Sequence, residues 1–491
     1  MQLLNDHSNR FVWLQGSPGT GKTAIAKSIA HSLAEEKRLA ASFFWDKTGV
    51  RTNTNTVELF PSTLASQLAT FCQDYETLLV NRLLDRTSRN ILNLPLEKRM
   101  DLLVINSMNS ISKIFTLEEC QPVVVLDGLD ECGDHNALAQ LMELVLLLDN
   151  LPPNFTILVS SRSEPEIRDA WESSHNIVRV YTDKIMKNDT DHTIGEMVKV
   201  GLGNIPQSHH LDWTPSKGEL HAFIKTCRQL PLLAEIRIRE VKSLARTHTL
   251  QRAFHRVRDD AAVPTDLNGE YLRILRRAYL GTHPDVLRTY RDAIGTVIAA
   301  HEPLSVATIS DILNISRGDI IAALDPVCSI IYAPASSDDP VHFYHATMKE
   351  FLAGSPQGDK GDHAFFISDV KGAFLALPLL KVLNYKGNLN RNMTNTKTKI
   401  LLSNRPTSFS GPSLPDIGGL LSEKPRHVAY AVMHWSTHLD LSSASKELFG
   451  ELRLFLTTKL LFWIELLVNP VSPLQAVLEQ EKVSHHPSLR Q

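Results

Sequence analysis

The chain has 491 residues, of which 43% are apolar and 21% charged, with a formal net charge of −3. That length and balance predict packed cores in about two to four domains, and exclude wholesale disorder and a basic footprint for nucleic acid. Its five cysteines lack paired spacing, so neither a disulfide framework nor a zinc site is expected.

The opening MQLLNDHSNR lacks the basic and apolar regions of a secretory signal, and no long uninterrupted apolar run predicts a membrane span. A reducing, cytoplasmic location is the expectation. Phe11–Leu14 is a short apolar run ending a strand at Gln15. Residues Gly16, Ser17, Pro18, Gly19, Thr20, Gly21, Lys22 and Thr23 then fit the pattern G-x-x-x-x-G-K-[ST] at every fixed position. From Thr23 to Lys37, Ile25, Ile29 and Leu33 share one helical face. In such a loop the glycines let backbone N–H groups converge on phosphate oxygens, and the helix N-terminus adds a favourable dipole. Lys22 is placed to reach the β- and γ-phosphates and the Thr23 hydroxyl to ligate Mg²⁺. The competing reading is a glycine-rich strand–helix turn with no ligand.

Strand and helix patterns alternate through the first 185 residues: strands at Ala40–Trp45, Pro122–Asp127, Phe155–Ser160 and Ile177–Tyr181. Between them lie helices from Pro61, over Leu96–Ile114, His135–Leu148 and Glu164–Trp171. Alternation of this kind predicts an α/β fold with a parallel sheet flanked by helices, with ligands at the carboxyl ends of the strands. The strand Val123–Leu126 delivers Asp127 to that edge, where a carboxylate holds Mg²⁺ opposite Thr23. Asp130 and Glu131 come next, and one of them is the candidate general base for an attacking water. A solvated acidic turn is the plainer alternative. Arg162 ends the next strand; it either senses a γ-phosphate or pairs with Glu164 or Glu166.

Beyond Asp183 strand signals thin out. Residues 190–260 read as helical with polar breaks at Gly201–Gln207 and Thr214–Lys217, and Pro264–Gly269 reads as a linker. Short helices run on to about Leu352, with two β-like runs, Ile330–Tyr332 and Val341–Tyr344, flanking the turn Ala333–Pro340 as a small wing does. The remainder is helical, interrupted at Asn384–Lys399 and Asn404–Gly419. No internal repeat predicts a propeller or solenoid.

With its acid pair, Asp127-Gly-Leu-Asp130-Glu131 resembles the magnesium motif of NACHT-type NTPases, the NOD-like-receptor branch of the signal-transducing P-loop ATPases. The run from Phe11 to Ala26 resembles fungal members, often labelled nephrocystin-3-like. Leu230-Pro231-Leu232 resembles the family's "GLPL" element, whose proline packs on adenine, with Gln229 in place of glycine; by itself Pro231 also suits a helix start. His342 to Leu352 resembles the winged-helix element whose histidine contacts the β-phosphate of ADP. His345 is the matching position, with Thr347 for Ser and Met348 for an aromatic; a lone histidine there is otherwise a cap or core residue. Tyr271–Leu275, Tyr430–His438 and Phe455–Glu465 also resemble fungal NACHT proteins, in which a repeat sensor comes after them.

The resemblance implies a NACHT P-loop core over 1–185, a helical domain over 186–263, a winged-helix-like domain over 264–355 and a C-terminal helical region over 356–491. It implies a switch that binds ATP or ADP with Mg²⁺, hydrolyses slowly and self-associates when ATP replaces ADP, in fungal non-self recognition or cell death. ATP is favoured over GTP because no NKxD-like guanine-reading element is seen. A continuously cycling AAA-like ATPase and a scaffold with a vestigial site are the alternatives. With the phosphate loop beginning at Gly16, little room is left for an N-terminal effector domain, and a fragment and a truncated gene product are both open readings.

Overall fold

The computed structural model describes residues 2–6, 9–48, 56–84, 91, 94–113, 121–172, 177–203, 205, 213–260, 266–334, 338–389, 424–440 and 445–468. The chain forms two compact units. The first comprises Met1–Arg273 with Cys328–Ile330 and Phe343–Met348; the second comprises Ile274–Val327, Ile331–His342 and Lys349–Gln491.

The first unit is built on five strands, β1 (Phe11–Gln15), β2 (Leu39–Phe44), β3 (Val123–Asp127), β4 (Thr156–Ser161) and β5 (Ile177–Tyr181). Every pairing is parallel and the order is β2-β3-β4-β1-β5. Strands covered on both faces need apolar residues on both, which is why β1, β3 and β4 read as apolar runs. Phe11, Trp13, Val124, Leu126, Ile157 and Val159 join one core. It also takes in α2 (Phe60–Phe71), α6 (His135–Leu147) and α7 (Pro165–Glu172). Val12, Leu14, Val123, Val125 and Leu158 pack instead with Ala26, Ala30 and Leu33 of α1 (Lys22–Glu35). The Trp171 ring lies 5.0 Å from Phe11 and 6.2 Å from Trp13, fixing α7 on the first face.

Helix α3 (Gln73–Leu84) was not expected from sequence, because Tyr75 and Leu79 are its only buried residues. The helix expected over Leu96–Ile114 runs as α4 (Leu96–Met100), a π-helical turn (Asp101–Ile105) and α5 (Asn106–Ser110).

Helices then complete this unit: α8 (Thr182–Gly203), α9 (Lys217–Thr226), α10 (Pro231–Leu244), α11 (Leu250–Asp260) and the first half of α12 (Leu267–Tyr279). Ile194, Val198, Phe223, Ile238, Val241 and Phe254 form their shared core. The supposed linker Pro264–Gly269 is corrected in its second part: α12 begins at Leu267, because Asp266 accepts the Gly269 N–H at 2.7 Å and caps the helix. Its first part, 264–265, lies outside the described residues, as do 204, 206 and 207 of the Gly201–Gln207 break and the whole of Asn404–Gly419; the break itself starts later than expected, because α8 runs on to Gly203. Of Asn384–Lys399 the residues from 390 onward also lie outside them, as do 335–337 of the Ala333–Pro340 turn.

The second unit contains α13 (Pro284–Ala299), α14 (Val306–Leu313) and α15 (Arg317–Leu324). Strands β6 (Ile331–Tyr332) and β7 (His342–Phe343) make a two-stranded sheet, and α16 (Ala346–Ala353) comes after it; Phe343 and α16 as far as Met348 are counted with the first unit. Then come α17 (Ala376–Asn384) and helices Arg426–His434, Lys446–Thr458 and Leu460–Val468. Buried tyrosines here find carbonyl partners: Tyr279 donates to Ala323 at 2.7 Å and Tyr290 to Phe365 at 3.3 Å. The stretch Tyr430–His438 is α-helical only as far as His434, and Phe455–Glu465 breaks at Lys459 into two helices.

A four-membered charge network is sealed between α10 and α12 of the first unit. Arg237 and Glu270 are fully buried and lie 3.3 Å apart. Arg273 reaches Glu240 at 2.7 Å and Glu270 at 2.9 Å. Burying such charges is costly, and removing one partner leaves the other uncompensated. Arg237→Ala is expected to lower unfolding stability by about 3 kcal/mol in urea titration. The pair replacement Arg237→Met with Glu270→Leu is expected to recover most of it. A single-variant loss below about 1 kcal/mol would contradict the network's role.

Candidate functional site

Gly16 to Gly21 connect β1 to α1 at the carboxyl edge of the sheet, and Lys22 and Thr23 open the helix. Gly19 and Gly21 take φ of +76° and +85°, the left-handed region that side chains resist. At Gly19 there is also no room: a Cβ would stand 2.8 Å from that of Leu232. A Cβ at Gly16 would stand 1.6 Å from the Thr182 hydroxyl. Pro18 lies within the same turn, and the Thr20 hydroxyl donates to the Ser17 carbonyl at 2.9 Å. Thr20 and Thr182 hydroxyls meet at 2.9 Å, so the first residue of α8 braces the loop. Lys22 Nζ folds over the loop, donating to the carbonyls of Gly16 at 2.8 Å and Ser17 at 3.0 Å.

Asp127 ends β3 and is 1% exposed. The Ser160 hydroxyl of β4 donates to it, and Thr23 of the loop hydrogen-bonds it as well. Burial raises its pKa, while Ser160, Thr23 and Lys22 oppose that shift. The expected meeting of Thr23 and Asp127 is therefore present. Among the described residues no cluster of three His, Cys, Asp or Glu is arranged to hold a metal. One carboxylate with one hydroxyl suits Mg²⁺, which binds through one or two protein groups together with phosphates.

Gly128, with φ +76°, turns the chain into the 3₁₀ turn Leu129–Glu131. The two acids of that turn then diverge. Asp130 is clamped by Arg162, whose backbone N–H reaches Oδ1 at 2.9 Å and whose Nε reaches Oδ2 at 3.1 Å. Glu166, one of the two acids expected as alternative partners of Arg162, pairs with His135 at 2.7 Å. Glu131 accepts the Lys47 backbone N–H at 3.0 Å, and burial pushes its pKa up to about 7.

Pro231 occupies the first turn of α10, as its fixed φ suits. The next residue makes the contact that matters locally: Leu232 N–H donates to the Gly19 carbonyl at 3.3 Å. Gln229, standing where the family has glycine, adopts φ +59°, and Arg228 before it +48°. A glycine preference at that position follows from the left-handed backbone.

His345 precedes α16 and belongs to the first unit. Its Nδ1 receives the Thr347 N–H at 3.2 Å, so it does cap the helix. The ring is also buried, and the nearby cations Arg162 and Lys22 add to burial in lowering its pKa to about 4. His345 therefore stands, neutral, in the field of the loop lysine. His342 belongs to the second unit, its ring 4.8 Å from that of Tyr332. Thr182, Ser160, Lys47, Leu232 and Thr347 complete the site. No local sequence signal marks the first three, since each is joined to its partner only by the fold; Leu232 lies in the Leu-Pro-Leu run, whose reading turned on Pro231 and not on it. Thr347 lies within the winged-helix motif but gave no hint of its contact.

The first 162 residues match the family described as Nephrocystin 3, N-terminal. No curated protein matches the chain in sequence. Among solved structures, the chain resembles the Walker-type ATPase PABY2304 of Pyrococcus abyssi. That likeness has 15% identity and TM-score 0.31, covering 70% of this chain and 91% of that one. It also resembles the STAND (signal transduction ATPase with numerous domains) protein PH0952 of Pyrococcus horikoshii, which carries a tetratricopeptide repeat sensor. There the identity is 11% and the TM-score 0.40, covering 96% of this chain and 52% of that one. Cdc6p of Pyrobaculum aerophilum is similar at 12% identity and TM-score 0.29, over 70% and 86% of the two chains. Among the described residues no helix is long and apolar enough to cross a membrane.

The Glu131 shift has a measurable sign. Its folded pKa of about 7 lies above the ordinary 4.5. The folded chain keeps a proton that the unfolded chain releases, so stability falls as pH rises through that interval. Glu131→Gln is expected to match wild type near pH ~4 and to exceed it by on the order of 2–3 kcal/mol at pH ~8. Parallel pH profiles of the two in urea unfolding would refute the shift.

Proposed function

We propose that the chain is a nucleotide-governed switch of the NACHT type, holding ADP in a closed state and ATP in an open, self-associating one. A P-loop core over 1–185, a helical domain over 186–263, a winged-helix-like domain over 264–355 and a C-terminal helical region over 356–491 are its working parts in this reading. The single observation supporting it is the gathering of Lys22, the Thr23–Asp127 pair and His345 in one unit. A generic turn of phosphate-loop shape has no need of a neutral histidine from more than three hundred residues downstream.

In this reading the N–H groups from Gly16 to Thr23 cradle the phosphates, and Lys22 exchanges its two loop carbonyls for phosphate oxygens. Thr23 and Asp127 hold Mg²⁺, which supplies charge neutralisation at the phosphates. Glu131, with a pKa near neutrality, is the better candidate for accepting the proton of an attacking water; Asp130 is occupied by Arg162. Arg162 is then released toward the γ-phosphate only by giving up Asp130. Pro231 packs toward the base and His345 donates to the β-phosphate. Hydrolysis is slow and serves as reset. Fungal non-self recognition or cell-death signalling in the cytoplasm is the setting proposed.

Gentle purification, denaturation and chromatography of the released nucleotide test this directly. ADP is expected from the wild-type chain and none from Lys22→Ala at unchanged folding. An empty wild-type site with rapid ATP turnover would favour a continuously cycling ATPase, and an empty, inert one a scaffold.

The acids separate in a second experiment. Asp127→Ala is expected to lose Mg²⁺-dependent ATP binding. Glu131→Gln is expected to bind normally and hydrolyse about 100-fold more slowly. Asp130→Asn serves as the parallel, and normal hydrolysis in both single variants would remove the general base from this turn.

A further inference from the structure

The proton on His345 can be located from its neighbours. Two groups of Thr347 converge on His345 Nδ1: the backbone N–H at 3.2 Å and the hydroxyl oxygen at 2.8 Å. A backbone N–H only donates, so Nδ1 must present its lone pair. The Thr347 hydroxyl, facing the same lone pair, must then donate as well, which leaves its oxygen as an acceptor. Tyr271 of α12 lies 2.7 Å behind it, with both hydroxyls buried. One direction satisfies all three residues: Tyr271 O–H to Thr347 Oγ1, Thr347 O–H to His345 Nδ1. The neutral ring then carries its only proton on Nε2. A proton on Nδ1 would instead oppose the Thr347 N–H head-on.

We infer that Thr347 and Tyr271 are positioning residues that fix His345 as the Nε2–H tautomer, so that the imidazole meets an anionic diphosphate as a hydrogen-bond donor. This rests on the proposed phosphate role of His345. The assignment has a physical logic. Beside Lys22 and Arg162 a charged imidazolium is disfavoured, so the ring is useful to a phosphate only if its neutral form donates. A neutral imidazole has one donor, and the hydrogen bonds at the other nitrogen decide where that donor is. The burial of Tyr271 and Thr347, at 1% and 7% exposure, keeps water from competing for the chain of hydroxyls.

The first test is ¹⁵N NMR of the full chain labelled at histidine, with His345 assigned by difference from His345→Gln. An unprotonated, pyridine-like Nδ1 and a protonated, pyrrole-like Nε2 are expected. A protonated Nδ1, or an imidazolium at neutral pH, overturns the tautomer whether or not nucleotide binds. The second test measures release of fluorescent ADP. Thr347→Val and Tyr271→Phe are expected to release it about 2- to 10-fold faster, as the loss of one neutral hydrogen bond implies. Thr347→Ser keeps the hydroxyl and should restore the wild-type rate. In a His345→Ala background, Thr347→Val should add nothing, because it acts through the ring. Additive effects would make Thr347 a stability residue and overturn its positioning role. Unchanged ADP release in His345→Ala, with the expected ¹⁵N pattern, sinks the phosphate role and leaves the tautomer standing.

Discussion

Strand β4, lying between β1 and β3, organises the site. Its last residues reach both ways. The Ser160 hydroxyl holds Asp127 of β3, and the Ser161 hydroxyl receives the indole N–H of Trp13 in β1 at 2.8 Å. Arg162, one residue on, clamps Asp130. The register puts Gln15 opposite Ser161 and Asp127 opposite Ser160, so the loop, the metal-suited acid and the arginine emerge side by side. Parallel pairing places all these ends on one edge, where ligands of open α/β sheets bind.

That edge concentrates buried charge, and each charge has a particular partner. Asp127 is held by two hydroxyls against burial, which favours its neutral form. Asp130 and Glu131 are sequence neighbours with opposite fates: one is an ion-pair member, the other a carboxyl poised near neutrality by burial. This separation of roles by environment is how two adjacent acids come to serve different chemistry.

Helix α10 ties the edge to the residues around His345 within the first unit. Its start meets the loop through Leu232 and Gly19. Two turns later the Arg239 guanidinium lies 3.5 Å from the centre of the Tyr344 ring, next to His345. The Arg237–Glu270 and Arg273–Glu240 pairs fix α10 against α12, which carries Tyr271.

The sequence by itself determined the strand–helix alternation, the phosphate-loop pattern and the acid ending an apolar strand. These are local properties: periodicity, glycine placement and the chemistry of one short run. They also sufficed for the family likeness that residues 1–162 bear out. Helix α3 was illegible because its buried face has only two side chains, and the start of α12 because Asp266 capping resembles a polar loop. Only the tertiary structure decided the rest. That Arg162 holds Asp130, that Thr182 and Leu232 crowd Gly16 and Gly19, and that Thr347 hydrogen-bonds the His345 ring are facts of juxtaposition. Burial and hydrogen-bond direction, which assign charge and protons at the site, come from neighbours far apart in the chain, and no sequence period encodes them.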